Sequence, residues 1–165
     1  MNGDSAGRVA WRAANIPVPE EHLATLAAAV VLHRVRPWRV GGRRPVRWLI
    51  GAALAGAGVA VVSRSVRAAR QVHLADPQRL VTVGPYARSR NPMYAGWTLL
   101  HVGAGLATNS AWVLATWPAA ALLVYRGVLG EERTLAGRFG AEYARYRSEV
   151  PRYLPAWHDA GTTPA

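Results

Sequence analysis

The chain has 165 residues, 51% of them hydrophobic, with a formal net charge of +11 and no cysteine; its mean hydropathy is only +0.03. The length fits one domain, and the missing cysteine excludes disulfide frameworks, thiolate nucleophiles and Cys-ligated zinc. The average conceals a segregation of charge, because no Asp, Glu, Lys or Arg falls between Arg90 and Arg126, nor from Trp48 to Ser63. Uncharged stretches of that length are membrane candidates. All twenty basic residues are Arg, which removes Schiff-base and P-loop lysine chemistry. The five histidines, His22, His33, His73, His101 and His158, are far apart and form no HExxH pattern, so no metal site is expected.

In chain order, residues 1–21 read as a loose tail, with Pro17 and Pro19 just ahead of the first apolar run. A signal peptide would need small residues where His33-Arg34-Val35-Arg36 stands, so that reading fails. Leu23 to Val35 is short for a span of about 20 residues and is read as a transmembrane helix with snorkelling ends. The next run, from about Val46 to Val66, carries Gly51, Ala55, Gly56, Gly58 and Ala60. That density of small residues predicts a helix packed closely inside a bundle.

The interval from Arg90 to Arg126 would make a helix of roughly 50 Å against a hydrocarbon core of about 30 Å. It is therefore read as a hairpin: Pro92 to Ala107 across, a turn at Thr108-Asn109-Ser110, and Ser110 to Leu129 back. Pro118 is predicted to kink the return leg. The hairpin brings Arg90 and Glu131 to one face. Beyond it, Leu135, Phe139, Tyr143 and Tyr146 recur at helical spacing among charged residues, which predicts an amphipathic interfacial helix ended by Val150-Pro151. Trp48, Trp97, Trp112, Trp117 and Trp157 fall near span ends as an aromatic belt would place them. The fold expected is an all-α integral membrane protein of about four transmembrane helices plus this C-terminal interfacial helix. Residues 22–155 form one domain, with a catalytic half at 72–155, and residues 156–165 form a tail. With four spans, fourteen of the twenty Arg lie on one side, which places both termini in the cytoplasm. The dense Arg34 to Arg47 loop opposes that assignment.

The entrance to the hairpin is the most unusual stretch. A Gly84-Pro85 turn, Tyr86, Arg88, Arg90, an Asn91-Pro92 pair and Tyr94 are packed together there. Asn91 can cap the helix, Pro92 suits its first position, and Arg88 and Arg90 can snorkel to headgroups. Glu131-Glu132, costly near lipid, return to the same face, either as an Arg90–Glu131 ion pair with Glu caps for the following helix or as part of a polar pocket roofed by Tyr143 and Tyr146. Gly103-Ala104-Gly105 lies deep in a span, where small residues serve packing, and His101 is expected to hydrogen-bond a neighbouring helix.

Gly84-Pro85-Tyr86, Arg90-Asn91-Pro92-Met93-Tyr94, the hairpin, Glu131-Glu132, Phe139-Gly140-Ala141-Glu142-Tyr143, Tyr146 and Val150-Pro151-Arg152, in that order, resemble the catalytic half of the isoprenylcysteine carboxyl methyltransferase and phospholipid methyltransferase superfamily. The chain departs from many members at Asn91, where they have His, so an imidazole base is not available there. The resemblance implies a membrane enzyme that uses S-adenosylmethionine at the cytoplasmic face to methylate a lipidic or lipidated acceptor. It implies a cofactor site of Gly84, Pro85, Tyr86, Arg90, Asn91, Pro92, Tyr94, Glu131 and Glu132, with Arg90, Asn91, Tyr94 and Glu132 as the catalytic residues. Carboxylates suit the cofactor's ammonium, sulfonium and ribose hydroxyls, and Arg suits its carboxylate.

A carboxylate acceptor needs no general base, whereas an amine acceptor must lose a proton, with Glu131 or Glu132 as the base. The abundance of Arg favours carboxyl O-methylation. Phospholipid amine N-methylation, a non-catalytic membrane scaffold and a nicotinamide-dependent membrane reductase are the alternatives. The Arg residues flank apolar runs instead of forming one soluble basic face, which points to anionic headgroups as partners and away from nucleic acid.

Overall fold

The computed structural model describes residues 20–72 and 76–153. The N-terminal tail up to residue 19, His73, Trp157, His158 and the C-terminal tail expected at 156–165 lie outside the described residues. Four α-helices and one 3-10 turn make up the described fold, and no strand occurs among these residues: α1 Glu20–Val35, α2 Arg44–Ala68, the 3-10 turn Gly84–Ala87, α3 Pro92–Ala107 and α4 Ala111–Glu149.

The helices alternate in direction, with α3 held between α2 and α4, and α1 leaning on α4. The α2–α3 contact follows directly from composition. A Cβ on Gly51 would lie 2.6 Å from the Ala107 backbone N, one on Gly58 2.7 Å from the Gly96 carbonyl, and one on Gly103 2.7 Å from the Gly51 carbonyl. Backbone therefore packs on backbone along the whole seam, as small residues allow in lipid-facing bundles. Gly103 and Gly105 are packing residues, as their depth in the span suggested.

The hairpin forms as its sequence predicts. Pro92 opens α3, and Asn109 takes a left-handed φ of 60° at the turn. Ser110 caps α4 by accepting from the Val113 N–H, 3.4 Å away. The turn is tied to the α1–α2 loop by Ala111 N–H to the Trp38 carbonyl (2.9 Å) and Gly41 N–H to Asn109 Oδ1 (3.1 Å).

Several expectations change. Of the four expected spans, only α2 and α4 are both long and apolar enough to cross a membrane. Helices α1 and α3 have 16 residues each, a rise of about 24 Å. The return leg does not stop at Gly130 or Glu131: α4, 39 residues long, is two helical segments that meet at a break. Its non-helical backbone falls at Gly140 (φ 49°, ψ −120°), not at Pro118; only glycine adopts such dihedrals readily. The Tyr143, Tyr146 and Val150 side chains form a buried cluster with Leu135, Phe139 and Leu80, so protein covers the face that was expected to meet lipid. Trp48 is exposed as a belt residue would be, but Trp97 and Trp117 keep their indole N–H groups buried.

Candidate active site

The functional end of the bundle gathers the C-terminus of α2, the 3-10 turn, the start of α3, the second half of α4 and residues 150–153. Val113, Ala120, Val124 and Val128 form a buried stripe on α4, and Glu132 is the next residue on that stripe, four positions beyond Val128. Helical periodicity thus drives a carboxylate into the bundle at 8% exposure, and Glu131, about 100° around the helix, stays outside.

A buried carboxylate must be paired, and two guanidinium groups converge on it. Arg90 Nη1 lies 3.1 Å from Glu132 Oε1. Arg152 donates in a fork, Nε to Oε1 and Nη2 to Oε2, both at 2.8 Å. Main-chain bonds position both arginines: after α4 ends, the chain folds back so that Arg90 N–H donates to the Pro151 carbonyl (2.9 Å) and Asn91 N–H to the Arg152 carbonyl (3.1 Å). Ser89 Oγ and Asn91 Nδ2 donate to that same Arg152 carbonyl. Arg152 also lies over the Tyr125 ring, 5.4 Å from its centroid, a cation–π contact.

Arg90 Nη1 also donates to the Tyr143 hydroxyl at 3.2 Å, and the Tyr146 hydroxyl donates to the Tyr86 carbonyl at 2.7 Å. The two tyrosines after the Gly140 break therefore clasp both sides of the hairpin entrance. The Arg152 fork, reinforced by the Arg90 charge, holds the Glu132 carboxyl below the ordinary carboxylate range despite its desolvation. Glu132 in turn raises Arg152. Beside this closed cluster, the Tyr94 hydroxyl donates to Glu131 Oε1 at 2.7 Å.

The site residues expected from sequence divide accordingly. Arg90, Asn91 and Glu132 are brought together, with Tyr94 and Glu131 as an adjacent pair. Pro92 is buried as the first residue of α3. The Tyr86 ring packs with Ala69 and Met93, and Gly84, at φ 62°, forms the exposed turn before it. Two expectations are corrected. The ion pair is Arg90–Glu132, not Arg90–Glu131, because only Glu132 shares the buried stripe. Asn91 makes no capping bond; its amide is committed to the Arg152 carbonyl. Arg88 is exposed and stands apart from the cluster. Tyr143, expected as part of a roof over the pocket, meets Arg90 there, whereas the sequence reading gave Arg152 no contact with Glu132; the need of a buried Glu for a second cation was the available signal.

Apolar helices with an ion-paired polar cluster at one end are the build of an integral membrane protein with a site at the end of its bundle. The particular family follows from comparison. A family profile described as phospholipid methyltransferase matches residues 46–142, more than half of the chain, and the chain belongs to that family. Over 77 residues it is also 39% identical to the cobalt-zinc-cadmium resistance protein CzcN of Cupriavidus metallidurans. That match covers 46% of this chain, which spans about a third (35%) of the length of that curated relative.

Proposed function

We propose that the chain is an integral membrane methyltransferase that moves a methyl group from S-adenosylmethionine to a lipidic acceptor, and that the acceptor atom is a carboxylate oxygen. Membership of the phospholipid methyltransferase family supports the reaction class. The observation that carries the site is the buried Arg90–Glu132–Arg152 cluster, in which Arg90 Nε is buried and has no hydrogen-bond partner among the described residues. An orphaned guanidinium N–H is costly, and the cofactor's carboxylate is the kind of acceptor that would satisfy it. Glu131 uses one oxygen for Tyr94, and its other oxygen suits the cofactor's ammonium or ribose hydroxyls. The donor set fits the group.

When bound, S-adenosylmethionine supplies an electrophilic methyl on a sulfonium. The chain's own task is to align the acceptor, hold its charge and exclude water. Arg90 and Asn91 would orient the cofactor's carboxylate end, Tyr94 and Glu131 its cationic end, and Glu132 would hold Arg90 in place. Glu132 is a poor general base, since two guanidinium groups keep it ionised and occupied. An acceptor that arrives without a proton to lose suits such a site, which favours a carboxylate over an amine. The family's description supplies the second reading, a phospholipid amine headgroup.

The alternating helix directions suit four crossings, with α1 and α3 completed by snorkelling ends or a locally thinned bilayer. The arginine majority at the functional end supports a cytoplasmic position for that end, against anionic headgroups. The test is methyl incorporation from labelled S-adenosylmethionine by purified protein, offered isoprenylated or fatty carboxylates in one arm and phosphatidylethanolamine in the other. Label in the carboxylate arm supports the proposal. Label confined to phosphatidylethanolamine overturns the acceptor, and no label in either arm overturns the proposed reaction.

A further inference from the structure

Arg90 and Arg152 both bind Glu132, but not in the same way. Arg90 reaches it through a single contact, Nη1 to Oε1 at 3.1 Å, and that same Nη1 also donates to the Tyr143 hydroxyl. Arg152 holds both carboxylate oxygens, Nε on Oε1 and Nη2 on Oε2, each at 2.8 Å. The shorter, two-point contact thus belongs to Arg152. Arg90 keeps a buried Nε with no hydrogen-bond partner among the described residues.

The backbone fixes this division. The Arg152 carbonyl accepts from the Asn91 N–H (3.1 Å), Ser89 Oγ (3.1 Å) and Asn91 Nδ2 (3.3 Å), and the Pro151 carbonyl accepts from the Arg90 N–H (2.9 Å). Residues 151–152 are therefore registered against residues 89–91, and the Arg152 side chain, braced over the Tyr125 ring, meets Glu132 in a set position. Two guanidinium groups on one carboxylate leave one positive charge in excess. It resides beside the unused Arg90 Nε, where a carboxylate ligand would complete both the charge and the hydrogen bonds.

Removing Arg152 changes this balance. A buried carboxylate must be paired, Arg90 is the cation already in contact, and a guanidinium and a carboxylate favour the two-point fork. With neither oxygen held by Arg152, the Glu132 carboxyl is free to turn and meet Arg90 through both. That would neutralise Arg90 and set Glu132 in competition with the cofactor's carboxylate for its donors.

We propose that Arg152 is a positioning residue: by occupying both oxygens of Glu132, it keeps that carboxylate from closing on Arg90 and leaves the Arg90 guanidinium open to the cofactor's carboxylate. Arg152 acts through Glu132 and need touch neither cofactor nor acceptor. The inference rests on the reading of Arg90 as the holder of that carboxylate. It extends the working site beyond residue 142, where the family match ends.

The test compares S-adenosylhomocysteine with its decarboxylated analogue, S-adenosyl-3-thiopropylamine. The two differ in the carboxylate alone, so the ratio of their affinities reads that one contact, whereas a general loosening of the fold lowers both. Calorimetric titration of the purified full chain in detergent gives the ratio for the parent, for Arg152→Gln, and for Arg152→Gln combined with Glu132→Gln. The parent is expected to prefer S-adenosylhomocysteine about 10-fold, and Arg152→Gln to keep a preference of about threefold or less. The double variant removes the carboxylate that would close on Arg90, while the amide oxygen in its place can still accept from Arg90 Nη1, so its preference should return to about 10-fold. Arg152→Lys keeps the charge without the fork and should fall between the parent and Arg152→Gln; it carries the comparison if Arg152→Gln does not fold. A preference unchanged in the Arg152 variants overturns the inference, and so does one that stays low in the double variant, as a merely structural role would give. Failure of the underlying reading looks different: a parent that binds neither compound, or binds both equally, overturns the Arg90 assignment and this inference with it.

Discussion

Replacing Glu132 by Gln removes the carboxylate shared by Arg90 and Arg152 and leaves two guanidinium groups facing a neutral amide. At N–O separations of 2.8–3.1 Å, each pair is worth about 5–6 kcal/mol of gross attraction at an effective dielectric near 20. The amide's smaller desolvation penalty returns part of this. Arg152, with a side chain 30% exposed, can relax into solvent, whereas Arg90, at 9%, cannot. Net losses on removing one partner of a buried pair run at about 3–5 kcal/mol, and the exposure of Arg152 puts Glu132→Gln near the lower figure. For a chain of this size that lowers the thermal midpoint by roughly 6–12 °C. The assay is a thermal melt in detergent followed by loss of helicity, with Glu131→Gln as the comparison. Glu131 is exposed and, among the described residues, hydrogen-bonded through Tyr94, so its substitution should cost less than about 1 kcal/mol. A Glu132→Gln midpoint within about 2 °C of the parent, or a larger loss in Glu131→Gln, would refute the assignment of Glu132 as the buried partner.

Two more predictions follow from the same geometry. The Glu132 pKa is lower in the folded than in the unfolded state, so its stabilisation is complete above the unfolded value near 4.5 and disappears as pH falls through the lower folded value. Melts between pH 6 and 3 should show a drop below pH 4.5 that is smaller in Glu132→Gln; equal pH profiles for the two proteins would contradict this. At the α2–α3 seam, Gly103→Ala drives a Cβ to within 2.7 Å of the Gly51 carbonyl and should cost about 1–3 kcal/mol. Gly56→Ala on the same bundle meets nothing within 4 Å and should be neutral or stabilising by up to about 1 kcal/mol; similar melts for both variants would show that the seam is not where it is placed.

The sequence made the hairpin legible because its punctuation is local: Pro92 opens α3, and Asn109 and Ser110 make the turn. The choice between Glu131 and Glu132 was legible too, since Val124, Val128 and Glu132 lie on one helical stripe, but adjacency of the two carboxylates obscured it. The pairing of Arg152 with Glu132 spans only 20 residues, yet it depends on the chain doubling back at Val150 to lie along Ser89, Arg90 and Asn91. No local pattern encodes that return. The place of the break in α4 was missed because a charged segment after an apolar one reads as a change of environment, whereas a helix ends only where its backbone is broken or capped, here at Gly140. The His22–His101 contact joins residues 79 apart on helices whose neighbour relation only packing reveals.

The central claim is that the end of the bundle around Arg90, Tyr94, Glu131 and Glu132 binds S-adenosylmethionine. The most direct measurement is calorimetric titration of the detergent-purified chain with S-adenosylhomocysteine, repeated for Arg90→Ala and Glu131→Gln. The account predicts saturable one-to-one binding by the parent, weakened about 10-fold or more in Arg90→Ala and to a smaller extent in Glu131→Gln. No binding by a folded parent chain would contradict it.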